Sequence, residues 1–570
     1  MIRPFLGIWR CGLLLLLALM SAPLLALAAE DPPTEAHNSA SDSRPRQVDA
    51  LFAAWDKPGS PGCATGVMSQ GRLVYAKGYG LADLDSGTPL SPDTVFDVAS
   101  MAKQFTAANV ALLTLDHRLA LKDDVRARFP ELHVNVPVTI ENLLHHTSGL
   151  RDYAELNQLR GIEPTDNSGV IALLARQKTL NFAPGSQHAY SNSNYVLLAE
   201  LIQRLTGGSL AALSQQRIFA PLDMQSTRFA GDLENDPTNL AKSYAPIAPG
   251  QFAAIARNTQ SVGDGNLLTT VRDLARWDEN FYTNRVGGKA LEQMMRTPAT
   301  LTDGKQVPYG LGLMFDRYRG VPTEHHGGSF HGFRTELLRF PQQHFSVSVL
   351  CNVASANASA LASHIADIYL ADVLQPRATP ATAPVDAKID PEKLETYTGD
   401  YLIDFNGPLI VVHFGRRGNQ LFLQSAFEAP NEMIPVSDTE LREKNGRGRI
   451  SFEASKGGSG TKLTLRSDDG DFVGQRITAQ GVSSELADKL TGVYYSDEAD
   501  AEFRLQIVDE QVIVDAGHNR KFPVLQLSEA RFAMPGGATL DIERGRDGQI
   551  SGLVFSSSRV ANLRFARRAP

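Results

Sequence analysis

The chain has 570 residues, too many for one hydrophobic core, so two or three domains are expected. Apolar residues make up 42% and charged residues 21%, an ordinary globular balance, with a net charge of −8 and a sequence pI of about 5.9. That balance lacks the basic face a nucleic-acid partner requires, and no long block of like charge stands out.

The first residues read as a signal peptide, residues 1–28. Arg3 and Arg10 form a positive start, Cys11 to Ala28 is uncharged and Leu-rich, and Ala26-Leu27-Ala28 offers small residues for cleavage. Pro23 and that small-residue end favour cleavage over a retained anchor. Removing two arginines and no acids would take the net charge from −8 to −10. A periplasmic or secreted protein with no stable membrane span after cleavage is therefore expected. Residues from about 30 to 45 are polar and read as a disordered leader.

A hairpin is predicted from Cys63 to Met68 and Arg72 to Gly78, turning at Ser69-Gln70-Gly71. A largely helical middle runs from Ser100 to about Tyr282. Two further strands, Arg334 to Phe340 and Phe345 to Cys351, precede a helical run, Ala358 to Leu374. One sheet built from both ends of this unit, with a helical insertion, suits that order. The unit is placed at residues 45–374.

Residues 375–390 are rich in Pro, Ala and Thr and read as a linker. Alternating apolar residues dominate beyond it, as in Leu409-Ile410-Val411-Val412 and Phe503-Arg504-Leu505-Gln506-Ile507, implying an all-β region. Thr398-Gly399-Asp400-Tyr401 recurs as Thr491-Gly492-Val493-Tyr494. Gly418-Asn419-Gln420-Leu421-Phe422-Leu423 is echoed by Asp509-Glu510-Gln511-Val512-Ile513-Val514. Two small antiparallel β-barrels, at 391–480 and 481–570, fit this repeat, with one irregular β domain as the alternative.

The chemistry centres on Ser100-Met101-Ala102-Lys103. Met101, Phe105, Ala108 and Leu112 share one helical face, which sets Ser100 at a helix start and Lys103 one turn along. A serine hydroxyl needs a base, and an amine can serve when desolvation or other cations make it neutral. The helix start also offers backbone N–H groups to an oxyanion. Alone, Ser-x-x-Lys is a common chance motif in which Ser caps a helix. Two more elements supply context. Tyr190-Ser191-Asn192 follows Pro184-Gly185 and offers a phenol as proton carrier and an amide to hold Lys103 and substrate. His326-Gly327-Gly328-Ser329, expected at the start of a strand, offers Gly327 and Gly328 as a wall for substrate and the Ser329 N–H as an oxyanion donor beside that of Ser100.

These three elements, in this order, resemble the pattern of class C β-lactamases and related serine hydrolases, the penicillin-recognising enzymes. Val138 to Leu150, containing His145-His146-Thr147-Ser148-Gly149, also looks like a family stretch. So do Phe182-Ala183-Pro184-Gly185, Gly265-Asn266-Leu267-Leu268-Thr269-Thr270 and Tyr309-Gly310-Leu311-Gly312. The resemblance runs from about Ala50 to Leu374. It implies an α/β fold, an antiparallel sheet flanked by helices plus an all-helical lobe. It implies that Ser100 is acylated, that Lys103 and Tyr190 share the proton work, that Asn192 positions them, and that His326 stands where most members carry the Lys of Lys-Thr-Gly. The paired β units resemble those of D-aminopeptidase-type members with two C-terminal barrels. The family's sheet order would set the first strand beside the last and bring Cys63 near Cys351, as a disulfide or as a free buried pair.

The His-Gly-Gly departure removes a fixed cation and a Thr hydroxyl, both suited to a substrate carboxylate. Slow or narrow β-lactam turnover is therefore expected. Amides, peptides and esters of D-amino acids or other small acyl groups are the expected substrates. A β-lactamase proper is a rival reading, and a sensor acylated without turnover is another. His325, His326 and His331 lie close together, but neighbours on a strand face opposite ways, so no metal site is expected, nor any cofactor. His145 and His146 are expected to serve loop hydrogen bonding, and Asp152 and Tyr153 to shape the rim.

Overall fold

A computed structural model describes residues 42–162, 166–230, 236–258, 260–376, 395–404, 409–418, 420–425, 430–444, 448–453, 462–467, 470–477, 482–509, 511–518, 520–534 and 537–568. The signal peptide expected at 1–28 and most of the linker lie outside these residues. Among the described residues, no single helix is long and apolar enough to cross a membrane.

Both ends of the first unit contribute to one six-stranded antiparallel sheet. Its order is Met314–Tyr318, Val321–Phe330, Phe333–Phe340, Phe345–Cys351, Cys63–Ser69, Arg72–Tyr79. The central strands Cys63–Ser69 and Phe345–Cys351 are buried along nearly their whole length, because helices cover both faces. One face packs on helices Arg44–Leu51 and Ala358–Tyr369 around Phe52, Val347 and Ile365. The other meets the helical lobe around Phe105, Leu143, Val196 and Trp277. Cys63 pairs with Cys351 in the ladder, and the two form a disulfide spanning 288 residues of sequence.

Three expectations are corrected. The hairpin at Cys63 is not the first element, because Arg44–Leu51 is helical and plugs Val48 into the core. The helix from Ala358 stops at Tyr369. His326-Gly327-Gly328-Ser329 lies in the second half of the strand Val321–Phe330, not at its start. Pro322 and Glu324 disguised the earlier residues, since proline and a carboxylate argue against a strand interior. Glu324 is tolerated because Arg296 Nε meets it at 2.6 Å.

The C-terminal region is two closed eight-stranded antiparallel barrels, with strands from Gly399–Asp404 to Gly470–Ile477 and from Gly492–Ser496 to Leu563–Arg567. The repeated Thr-Gly-x-Tyr does the same work in each. Tyr401 donates its hydroxyl to Tyr397 O, and Tyr494 to Leu490 O. Arg476, from the last strand of the first barrel, donates to Thr398 O, and Arg567 donates to Thr491 O at the same place in the second. First and last strands are thereby locked and the edge is removed. The first barrel has its own core around Phe414 and Phe452. The second differs: Phe503, Leu553 and Phe565 join the apolar cluster of the helical lobe.

Candidate active site

The turn that presents Ser100 is built by its neighbours. Val98 N donates to Leu267 O at 2.9 Å, and Ala99 N to the buried Asp97 Oδ1 at 2.9 Å. Ala99 adopts φ +48, a left-handed geometry costly for a residue with a Cβ. A single 3-10 turn, Ala99–Ala102, then leads into the helix Lys103–Leu115. Ser100 is half-buried and faces a cleft of about 1070 Å³, also lined by Tyr190, Asn192, His326 and Gly328.

Lys103 is fully buried, and its ammonium nitrogen has three partners. Nζ lies 3.0 Å from Ser100 Oγ, 2.9 Å from Asn192 Oδ1 and 2.7 Å from Asp264 O. Two of these, an amide oxygen and a backbone carbonyl, can only accept. Both therefore draw on N–H bonds of Nζ, and the third contact sets Nζ within hydrogen-bond distance of the Ser100 hydroxyl. Nζ also stands 4.9 Å from the Tyr190 ring centroid and 5.7 Å from that of Tyr195. Asn192 opens the helix Asn192–Thr206, and its own N–H donates to Asp152 Oδ2 at 2.6 Å.

Asp152 and Tyr153 are both buried; Tyr153 lines a recess beside Ser100, whereas Asp152 lines neither recess at Ser100. Asp152 caps the helix Tyr153–Arg160 through Ala154 N and Glu155 N, and Tyr153 donates its hydroxyl to Asp264 Oδ2 at 2.9 Å. Burial pushes the Asp264 carboxyl upward, against the pull of Lys103.

The histidines form one relay of assigned tautomers. Ser191 N donates to His146 Nδ1 at 3.2 Å, so His146 carries its proton on Nε2 and donates to the Tyr309 hydroxyl at 3.2 Å. Tyr309 then donates to His326 Nε2 at 3.3 Å, and His326 Nδ1 donates to Gly327 O at 2.6 Å. His145 Nδ1 donates to the Tyr309 carbonyl at 3.1 Å. The two family stretches at 145–149 and 309–312 therefore hold each other, as the loop-bonding expectation for His145 and His146 required. His325 faces the other side of the strand and pairs with Glu336 Oε1 at 3.1 Å.

His326 is 1% exposed. Burial first, and then the charge of Lys103, hold its pKa down at about 3. Its sign fixes a stability effect. Below pH 6.5 the unfolded chain takes up a proton that the folded chain refuses until about pH 3, so stability falls with falling pH across that window. His326→Gln should flatten this fall, removing about 3 kcal/mol of the loss by pH 4. Thermal melts from pH 7 to pH 4 measure it, and parallel curves for both proteins would contradict it.

Gly328 is required by close approach. A Cβ there would lie 2.2 Å from Val98 O, where the strand meets the turn of Ser100. At Gly327 a Cβ would lie 2.8 Å from Glu336 Oε2, so a side chain at this position would collide with the carboxylate that His325 and Ser359 hold. Ser329 lines the same recess as Ser100.

One contributor carried no motif. The loop between the last two strands of the second barrel brings Arg559 to the site, with its guanidinium 5.3 Å from the Tyr190 ring centroid. The loop is anchored by its backbone. Arg559 O accepts from Asn181 Nδ2 at 2.8 Å and Asp152 N at 3.2 Å, and Ala561 O accepts from Arg151 Nε at 3.2 Å. Arg151 is wholly buried and also meets Glu498 Oε2 of the same barrel at 2.8 Å.

The β-lactamase family profile matches residues 48–370. The chain belongs to the β-lactamase family. Membership makes it a serine hydrolase. A D-aminopeptidase of Gluconobacter oxydans is 31% identical over 321 residues, 55% of this chain and 60% of that relative. A D-aminopeptidase of Brucella anthropi is 26% identical over 533 residues, 90% of this chain and 96% of that one. Among solved structures, a penicillin-binding protein homologue from Pyrococcus abyssi matches with a TM-score of 0.55 at 22% identity, over 76% of this chain and 99% of that chain, a likeness of fold.

Proposed function

We propose that this chain is an exported hydrolase that cleaves an amide or peptide bond of a D-amino-acid-containing substrate through an acyl-enzyme on Ser100. The observation that carries the reading is the place of Lys103 Nζ, held by Asn192 Oδ1 and Asp264 O at 3.0 Å from Ser100 Oγ, within reach of the proton that the attack must shed. Lys103 takes the hydroxyl proton as Ser100 attacks the carbonyl carbon. The backbone N–H groups of Ser100 and Ser329 receive the oxyanion. Tyr190 passes the proton to the leaving nitrogen, which departs as the acyl-enzyme forms, and water then attacks by the reverse proton route. Asn192 keeps Lys103 in place throughout. The D-amino-acid preference rests on the relatives named D-aminopeptidase. Export rests on the leader-like residues 1–28, with a small molecule or short peptide as substrate.

A substrate panel tests this reading: D-amino-acid amides, D-Ala-D-Ala peptides, short p-nitrophenyl esters, nitrocefin and a carbapenem. D-amino-acid amides or peptides should turn over fastest and β-lactams slowly, and Ser100→Ala should lower turnover by about 10⁴-fold or more. Turnover surviving in Ser100→Ala would contradict it.

A further inference from the structure

Ser100 stands where two recesses meet. One is the main cleft along the strand Val321–Phe330. The other, of about 320 Å³, reaches toward Tyr153, Phe330 and His331. Arg559 lines both. Its position is set by its own backbone, because Asp152 N and Asn181 Nδ2 clamp its carbonyl and the loop closes on itself through Ser557 N to Val560 O at 2.7 Å. The same Asp152 holds Asn192 through its carboxylate, so one residue fixes both the barrel loop and a member of the Lys103 cluster.

The charges around this guanidinium are unbalanced. Among the described residues no ion pair holds it, and it lies on the face of Tyr190. Glu155 is the acid that feels its charge, and burial pushes that carboxyl up to about 7. Glu336 is engaged by His325 and Ser359. Arg334, another cation on the main cleft, spends Nη1 on the carbonyls of His331 and Phe333. His326, where the family carries a lysine, is neutral. Arg559 is therefore a cation in a fixed place, at the edge of both substrate recesses, with donors to spare.

We propose that Arg559 is a substrate-binding residue that recognises a carboxylate, so that a domain distant in sequence supplies the fixed cation missing from His326-Gly327-Gly328. The inference rests on the reading of Ser100 as nucleophile and narrows its substrates to those bearing an anionic group. A guanidinium offers two parallel N–H bonds to a carboxylate, a geometry that lysine and glutamine cannot reproduce. The carboxylate sits on the leaving group in one recess or on the acyl group in the other.

Binding to the non-turnover protein separates this from the hydrolase reading. Calorimetry on Ser100→Ala compares D-alanyl-D-alanine, D-alanyl-D-alaninamide and N-succinyl-D-alaninamide. At least one carboxylate ligand should bind about tenfold or more tighter than the neutral amide. D-alanyl-D-alanine tightening places the anion on the leaving group, and succinyl tightening places it on the acyl group. Adding Arg559→Gln should bring the ratio near one, while Arg559→Lys should keep part of it. A merely structural loss would weaken charged and neutral ligands alike. A ratio unchanged by Arg559→Gln, or no carboxylate preference at all, would overturn the proposal. Arg559-dependent carboxylate binding in a protein that turns over no substrate would leave it standing and sink the hydrolase reading instead.

Discussion

Lys103→Met should lower kcat/KM by about 10³-fold, the scale at which removing a positioned general base is felt. The side chain fills a similar volume, so the loss belongs to the amine. It also strands two acceptors, the buried Asp264 O and the part-buried Asn192 Oδ1, which Nζ satisfies at 2.7 and 2.9 Å. A stability loss of about 1–3 kcal/mol should accompany the change. Lys103→Arg is the sharper variant. A guanidinium can serve both acceptors but stays protonated at every working pH, so it cannot take the Ser100 proton. It should be nearly as inactive as Lys103→Met. Arginine at this position with near wild-type kcat/KM would show that Lys103 acts by charge alone.

Arg151→Ala should destabilise the protein by about 3–5 kcal/mol, measured by denaturant unfolding. Arg151 sits between the helical lobe and the second barrel, 0% exposed in its side chain. It donates to Gln177 Oε1 at 2.9 Å, Thr179 O at 3.1 Å, Ala561 O at 3.2 Å and Glu498 Oε2 at 2.8 Å. Truncation leaves Glu498, 15% exposed, facing Lys178 N without its cation. Burial already lowers the Arg151 pKa against the pull of Glu498, so the charge is held by its partners and not by solvent. Ala561 also loses its clamp, which should release the Arg559 loop. A loss below about 1 kcal/mol would mean that the shared apolar cluster alone docks the barrel.

The parts of the site that were legible in sequence are those whose geometry is local. Ser100 and Lys103 are one helical turn apart, and Tyr190 and Asn192 flank one helix start, so spacing places them. His326 was legible only through resemblance, since a histidine before two glycines has no mechanism of its own. Asp264 escaped notice because its backbone carbonyl makes the contact, and any residue carries one. Arg559 escaped because its neighbours, Ser556-Ser557-Ser558, read as an ordinary turn and nothing local says which domain the turn will meet. The fold divides the same way. Strand alternation and the Thr-Gly-x-Tyr repeat announced the barrels, while Arg44–Leu51, polar but for a few residues, hid a helix that buries Val48.

The central claim is that Ser100 becomes covalently acylated. Intact-mass spectrometry of the purified protein, quenched in acid seconds after mixing with a slowly turned-over β-lactam or an activated D-aminoacyl ester, tests it most directly. The account predicts an added mass equal to the acyl group, localised by peptide mapping to the segment holding Ser100 and absent from Ser100→Ala. An adduct on another residue, or one that persists in Ser100→Ala, would contradict it.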